Sequence, residues 1–151
     1  MNVIRATSTD VPLADPLFAA YREFSGEPYD LEAAAAFLTE RLEREESIVL
    51  LALDGDTAVG FAQIYPSFSS TQLAPIWTLN DLFVSEDARG GGAVDALLDT
   101  AAALGQEAGA IAIKLSTAHT NLRAQSVYDR HGYQPDEKYR SYELPLQGIG
   151  H

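Results

Sequence analysis

Apolar positions recur along this chain with two periods, one suited to helices and one to strands. Val3–Arg5 predicts a short first strand. Thr9 or Asp10 can cap a helix that runs to Phe24, where Ser25-Gly26 ends it. Asp30 caps a second helix, whose Leu31, Ala35, Leu38 and Leu42 fall at helical spacing with charges opposite. Ile48–Leu53 is continuously apolar, as a strand covered on both faces is. Asp54-Gly55-Asp56 reads as a hairpin turn that brings Thr57–Tyr65 back alongside. A Ser- and Thr-rich loop, Ser67–Gln72, leads into Ile76–Val84. Val94, Leu97, Leu98, Ala101 and Leu104 form one apolar face of a third helix, with Gly105 and Gly109 as its end. Ile111–Leu115 predicts a strand, and Asn121–His131 a short helix closed by Gly132. Tyr139–Leu144 predicts a last strand, stopped by Pro145.

The resulting order, β-α-α-β-β-β-α-β-α-β, belongs to the α/β class in its α+β form: a mixed sheet with an antiparallel meander in the middle and helical crossovers later. It does not alternate strictly, so neither a TIM barrel nor a Rossmann half fits. A chain of 151 residues suits a single domain spanning 1–151. The absence of cysteine excludes disulfides, cysteine zinc sites and a cysteine nucleophile, and fits a reducing cytoplasm. MNVIRATSTDVP lacks the basic and apolar regions of a signal peptide, and no apolar run approaches a membrane span, so a cytoplasmic protein with no membrane partner is expected. The net charge of −12 argues against non-specific nucleic-acid binding. It favours a cationic partner through steering, or serves solubility alone.

The densest chemistry lies between Val84 and Leu98, where a strand runs through Arg89-Gly90-Gly91-Gly92 into the third helix. A helix start leaves backbone N–H groups unpartnered, and the helix dipole favours an anion there. Glycine removes the side chain that would keep a pyrophosphate from the backbone, and Arg89 adds a fixed charge. A Walker loop would need a lysine after the glycines, and a dinucleotide fingerprint would need Gly or Ala where this chain has Asp95. A glycine-rich helix entry without a ligand is the plain alternative.

The segment resembles the acetyl-CoA signature of the GNAT superfamily, Arg/Gln-x-x-Gly-x-Gly/Ala: Arg89 and Gly92 match, and Val94 stands where Gly or Ala is usual. Asn121, Ala124 and Tyr128, followed by Gly132-Tyr133, resemble the family's second motif and share one helical face. The resemblance spans roughly Ile48–Leu144 and implies a GNAT-type fold, with a mostly antiparallel twisted sheet of about six to seven strands flanked by about four helices. It implies acetyl-CoA as cofactor, held by Phe83, Val84, Arg89, Gly90, Gly91, Gly92, Ala93, Val94, Asn121, Ala124 and Tyr128. In this role Tyr128 would protonate the leaving thiolate, which suits a phenol of pKa about 10. A packed aromatic on an amphipathic helix is the plain reading of the same residue. A homodimer is a further implication.

Trp77–Val84 resembles the Leu-Glu-Asp-Leu/Phe-Phe/Tyr-Val strand of polyamine and amino-acid acetyltransferases, in which the Glu often serves as base. Here that position is Asn80, which cannot accept a proton. A lysine-like amine has a pKa of about 10.4, so a base or a carboxylate-held water usually helps it attack. Asp81 can take over directly or through a water chain, although strand alternation points it to the other face; an acceptor of low pKa is the third route. A purely structural Asp81 is the remaining alternative. Tyr65 and Asn80 are candidate acceptor-groove residues, with Ser67, Ser69 and Ser70 beyond, and an ordinary polar loop is the equal alternative for Tyr65 and the serines. His119 reads first as a surface loop histidine and second as a proton relay, Arg123 and Arg130 could meet the ribose phosphate or be plain exposed helical arginines, and His131 and His151 show no metal spacing.

These residues lead to an N-acetyltransferase acting by direct attack on a primary amine of a small molecule or peptide, with no metal. A non-catalytic acyl-CoA-binding sensor of the same fold is the alternative. A nucleotide-binding protein is disfavoured by the missing Walker lysine.

Overall fold

The computed structural model describes residues 1–147, which fall into two compact units, Met1–Ser116 and a second from Thr117 onward. The first unit contains β1 (Asn2–Arg5), α1 (Val11–Phe24), α2 (Leu31–Glu43), β2 (Ile48–Asp54), β3 (Thr57–Ser69), β4 (Ala74–Val84), α3 (Ala93–Glu107) and β5 (Ile113–Lys114). Its five strands form one sheet in the order β1-β2-β3-β4-β5. Every pairing is antiparallel except β4 with β5, which is parallel. Among the described residues no helix is long and apolar enough to cross a membrane.

The unbroken apolar run of β2 is explained by cover on both faces: Val49, Leu50, Leu51 and Ala52 are all fully buried. On one face α1 and α2 lie over Val49, Leu51 and Phe61. Phe18 and Tyr21 of α1 meet the Phe61 ring edge-on, at 5.8 and 5.7 Å between centroids. Each such buried aromatic or leucine contributes about 1.5–3 kcal/mol relative to exposure. On the other face α3 buries Leu97, Leu98 and Ala101. Its close approach requires Gly60, where an added Cβ would stand 3.1 Å from Val84 Cγ2 and 3.3 Å from Leu97 Cδ1.

Local signals were met closely at several helix ends. Asp30 caps α2 by accepting the Ala33 N–H at 3.0 Å. Asp10 occupies the N-cap position of α1, yet its carboxylate accepts the Thr7 N–H at 2.8 Å and ties down the preceding turn instead.

Four expectations are corrected. Gly105 does not end α3; it lies inside the helix, buried, where a Cβ would be 3.5 Å from the Trp77 ring, so it serves close packing. The hairpin of β3 and β4 runs further than its apolar pattern, through Pro66 to Ser69 and back from Ala74. Pro66 is tolerated because β2 pairs with β3 only as far as Ile64, leaving β4 as the sole neighbour there. The strand expected over Ile111–Leu115 shortens to β5, Ile113–Lys114. Among the described residues the sheet has five strands rather than six to seven, because Tyr139–Leu144 forms no ladder. Asp136 captures the Lys138 and Tyr139 N–H groups at 2.9 and 3.0 Å, which turns the chain locally, and Tyr139, Tyr142 and Leu144 remain exposed.

The second unit is built on α4 (Leu122–Arg130). Asn121 caps it, and Gly132, at φ +89°, follows its end in the left-handed region. His151 lies outside the described residues.

Candidate functional site

The glycine junction has the shape its composition suggests. After β4, a short 3-10 turn over Glu86–Ala88 leads to Arg89, and Gly92 is the N-cap of α3. Gly90 and Gly92 both adopt left-handed conformations, at φ +85° and +88°, and a Cβ on either would point into open space. Gly91 is constrained from within, since its Cβ would stand 3.2 Å from the Ala88 carbonyl. The first helical bond runs from the Ala96 N–H to the Gly92 carbonyl at 3.0 Å, and Gly92 offers no side-chain cap. A first turn begun this way leaves N–H groups at the helix start without an acceptor four residues back, beside the open glycines. Ala93 is buried and Val94 half-buried, so these two offer main chain rather than side chain. Arg89 is exposed and its Nε donates to the Val84 carbonyl at 3.4 Å, which folds the guanidinium back over the strand end. This cradle of N–H groups beside a guanidinium fits a pyrophosphate.

Phe83 and Val84 are held by packing. The Phe83 ring stands 5.8 Å from Tyr21 and 6.3 Å from Phe24, and Val84 is buried under α3.

The chemistry of β4 is shaped by a bulge. Gln63 pairs with Asp81, while the next β3 residue, Ile64, pairs with Leu79, which makes Asn80 an extra residue. Asn80 is exposed and Asp81 is buried, yet the bulge suspends strict alternation and keeps the two side chains within hydrogen-bond reach. Asp81 shares the face of its partner Gln63, which lies two residues beyond Phe61 under the helices. Its Oδ2 accepts two amide N–H bonds, from Gln63 Nε2 at 3.1 Å and from Asn80 Nδ2 at 3.1 Å. Asn80 thus acts as a donor to the carboxylate beside it.

Tyr65 lies two residues beyond Gln63, half-buried. Burial raises its phenol pKa first; the Asp81 charge raises it further and the Arg41 charge opposes the rise. The Tyr65 hydroxyl therefore feels both the Asp81 and the Arg41 charge. Arg41 is anchored by Glu46 at 2.7 Å and Glu40 at 2.8 Å.

Sequence reasoning missed Gln63 and the bulge. The signal for Gln63 was a single polar residue inside the apolar run Val59–Ile64; the bulge left none, because an extra residue leaves composition unchanged.

In the second unit, Asn121 Oδ1 accepts the Ala124 N–H at 3.1 Å, so that oxygen is used in capping. Tyr128 is half-buried and meets Tyr133 edge-on at 5.8 Å. Burial raises the Tyr128 phenol pKa, which keeps it protonated throughout the neutral range. The carbonyls of Ala118 and His119 both accept from Gln125 Nε2 at 3.0 Å, which fixes the loop before the helix.

Residues 14–133 match the family model described as Acetyltransferase (GNAT) family, a span that covers most of the first unit and runs into the second. The uncharacterized N-acetyltransferase YhfO of Bacillus subtilis is 42% identical over 144 residues, covering 95% of this chain and 97% of its own. The D-amino-acid N-acetyltransferase HPA3 of Saccharomyces cerevisiae is 34% identical over 89 residues, covering 58% of this chain and 55% of its own. A crystal structure described as a probable acetyltransferase superposes with a TM-score of 0.94 at 40% identity, covering 99% of this chain and 100% of that one. The chain belongs to the GNAT family of acetyltransferases, for which acetyl-CoA is the co-substrate.

Proposed function

We propose that this protein transfers acetyl from acetyl-CoA to a primary amine of a small molecule or peptide, by direct attack and within a single domain, 1–151. The observation that carries the reading is the paired left-handed glycines, Gly90 and Gly92, whose Cβ positions open onto free space at the start of α3. The name of the yeast relative gives it a D-amino acid as acceptor, a primary amine, which supports the same class of acceptor here.

The roles follow from the chemistry of each group. The thioester of acetyl-CoA supplies an activated acyl carbon. Arg89 and the N–H groups of Gly90, Gly92, Ala93 and Val94 hold the pyrophosphate, while Gly91, whose N–H donates to the Ala88 carbonyl at 3.2 Å, sets the turn between them; Phe83 and Val84 border the acyl arm. Asn121 offers Nδ2, since its oxygen caps α4, and Ala124 leaves room on the same helical face. Tyr65 and Asn80 line the acceptor groove, and Asp81 receives the proton of the acceptor ammonium through water. As the amine nitrogen bonds to the acyl carbon, the carbon–sulfur bond breaks and Tyr128 donates its proton to the departing thiolate. The second nitrogen proton, lost as the amide forms, returns to Tyr128 through water, and Asp81 gives the first to solvent, so the products are an N-acetyl amide, CoA and one proton. The reading extends to a cytoplasmic homodimer.

The test is mass spectrometry of a panel of polyamines, amino acids and peptides incubated with acetyl-CoA. An N-acetylated product, formed about 10²–10⁴-fold more slowly by Asp81→Asn, supports the reading. CoA binding without a product from any amine supports an acyl-CoA sensor instead.

A further inference from the structure

Gln63 is fully buried, in the middle of β3, directly across the ladder from Asp81. Its Nε2 is bonded to Asp81 Oδ2, and its Oε1 has no hydrogen-bond partner among the described residues. Asp81 Oδ2 already accepts two N–H groups, so its Oδ1 is the oxygen open to a further donor. The buried amide oxygen Oε1 is therefore the acceptor that needs a donor from outside the described residues, and Asp81, bonded to the same amide, carries a second acceptor in Oδ1. An orphaned buried carbonyl is costly, and a water with two acceptors to satisfy is the ordinary solution in a polar interior.

We infer that Gln63 is a positioning residue for proton removal: its Nε2 fixes the Asp81 carboxylate, and its Oε1 with Asp81 Oδ1 holds one water. The inference rests on the acetyl-transfer reading. In the step it serves, the ammonium gives its proton to this water, and the water passes a proton to Asp81 Oδ1. The lone pair left on the amine forms the new carbon–nitrogen bond. Oδ2 takes no proton because two N–H groups already point at it. The bulge contributes directly, since it sets Asn80 as the second donor to that oxygen while keeping Gln63 and Asp81 in register.

Gln63→Met keeps the length of the side chain and removes both polar atoms. The expected result is a kcat lower by about 10- to 100-fold with KM for acetyl-CoA unchanged. The acidic limb of the kcat/KM profile should also move up in pH, toward the acceptor's own pKa. Unchanged kcat and an unchanged limb would overturn the assignment. Should Gln63→Met fail to fold, a high-resolution crystal structure of the wild-type protein decides. An ordered water bonded to both Gln63 Oε1 and Asp81 Oδ1 supports it; a protein donor on Oε1, or no water there, refutes it. A wild-type protein that holds this water and acetylates no amine would refute the acetyl-transfer reading and leave the water site standing.

Discussion

Gly92→Ala and Gly109→Ala together separate the cost of a strained backbone from the loss of a ligand site. Both glycines flank α3, one at each end, at φ +88° and +80°, and a Cβ on either would meet nothing within 4 Å. Neither substitution creates a clash, so each carries only the left-handed penalty of about 1–2 kcal/mol. For a chain of this size that lowers Tm by about 2–8 °C in both variants. Their effects on CoA should differ. At position 92 the methyl enters the space where the phosphate approaches the first-turn N–H groups, and loss of one charge-assisted hydrogen bond is worth about 1.5–3 kcal/mol. CoA affinity of Gly92→Ala should therefore fall by about 10- to 100-fold, while Gly109→Ala binds as the wild type does. Thermal unfolding gives the first quantity and titration calorimetry with CoA the second. Equal CoA affinity in the two variants, beside equal losses of Tm, would refute the assignment of the glycine junction to phosphate.

Two further outcomes follow from packing and from the tyrosines. Gly60→Val places carbon against Val84, Leu97 and the Phe83 carbonyl, all within 3.3 Å of the Cβ position, and should destabilise by about 1–3 kcal/mol in chemical denaturation. The phenols of Tyr65, Tyr128 and Tyr133 are all raised by burial, so the folded state binds these protons more tightly than the unfolded chain. Their contribution to stability is whole below about pH 10 and is lost as pH rises through the folded values, so denaturation midpoints should fall on the alkaline side only. A midpoint that falls between neutrality and about pH 9 in the wild type but not in Tyr133→Phe would contradict that sign.

What could be read from the sequence was what short-range chemistry decides. The apolar run of β2, the Asp30 cap and the glycine start of α3 each depend on neighbours a few residues away, and each stands where its pattern placed it. What could not be read depends on distant partners. Gly105 looks like a helix stop until Trp77 is beneath it, and Pro66 looks like a strand stop until β2 is seen to end short of it. The Asn80 bulge is a property of the β3–β4 pairing, invisible in either strand alone. That same bulge changes how Asn80 reads, from a missing base to a donor that steadies the carboxylate beside it.

The most direct test of the account is thiol release from acetyl-CoA, followed with each of a panel of primary amines, in the wild type and in Tyr128→Phe. The account predicts amine-dependent release that falls by about 10²-fold or more in Tyr128→Phe while CoA affinity is kept. Tight CoA binding with no release on any amine, or full turnover by Tyr128→Phe, would contradict it.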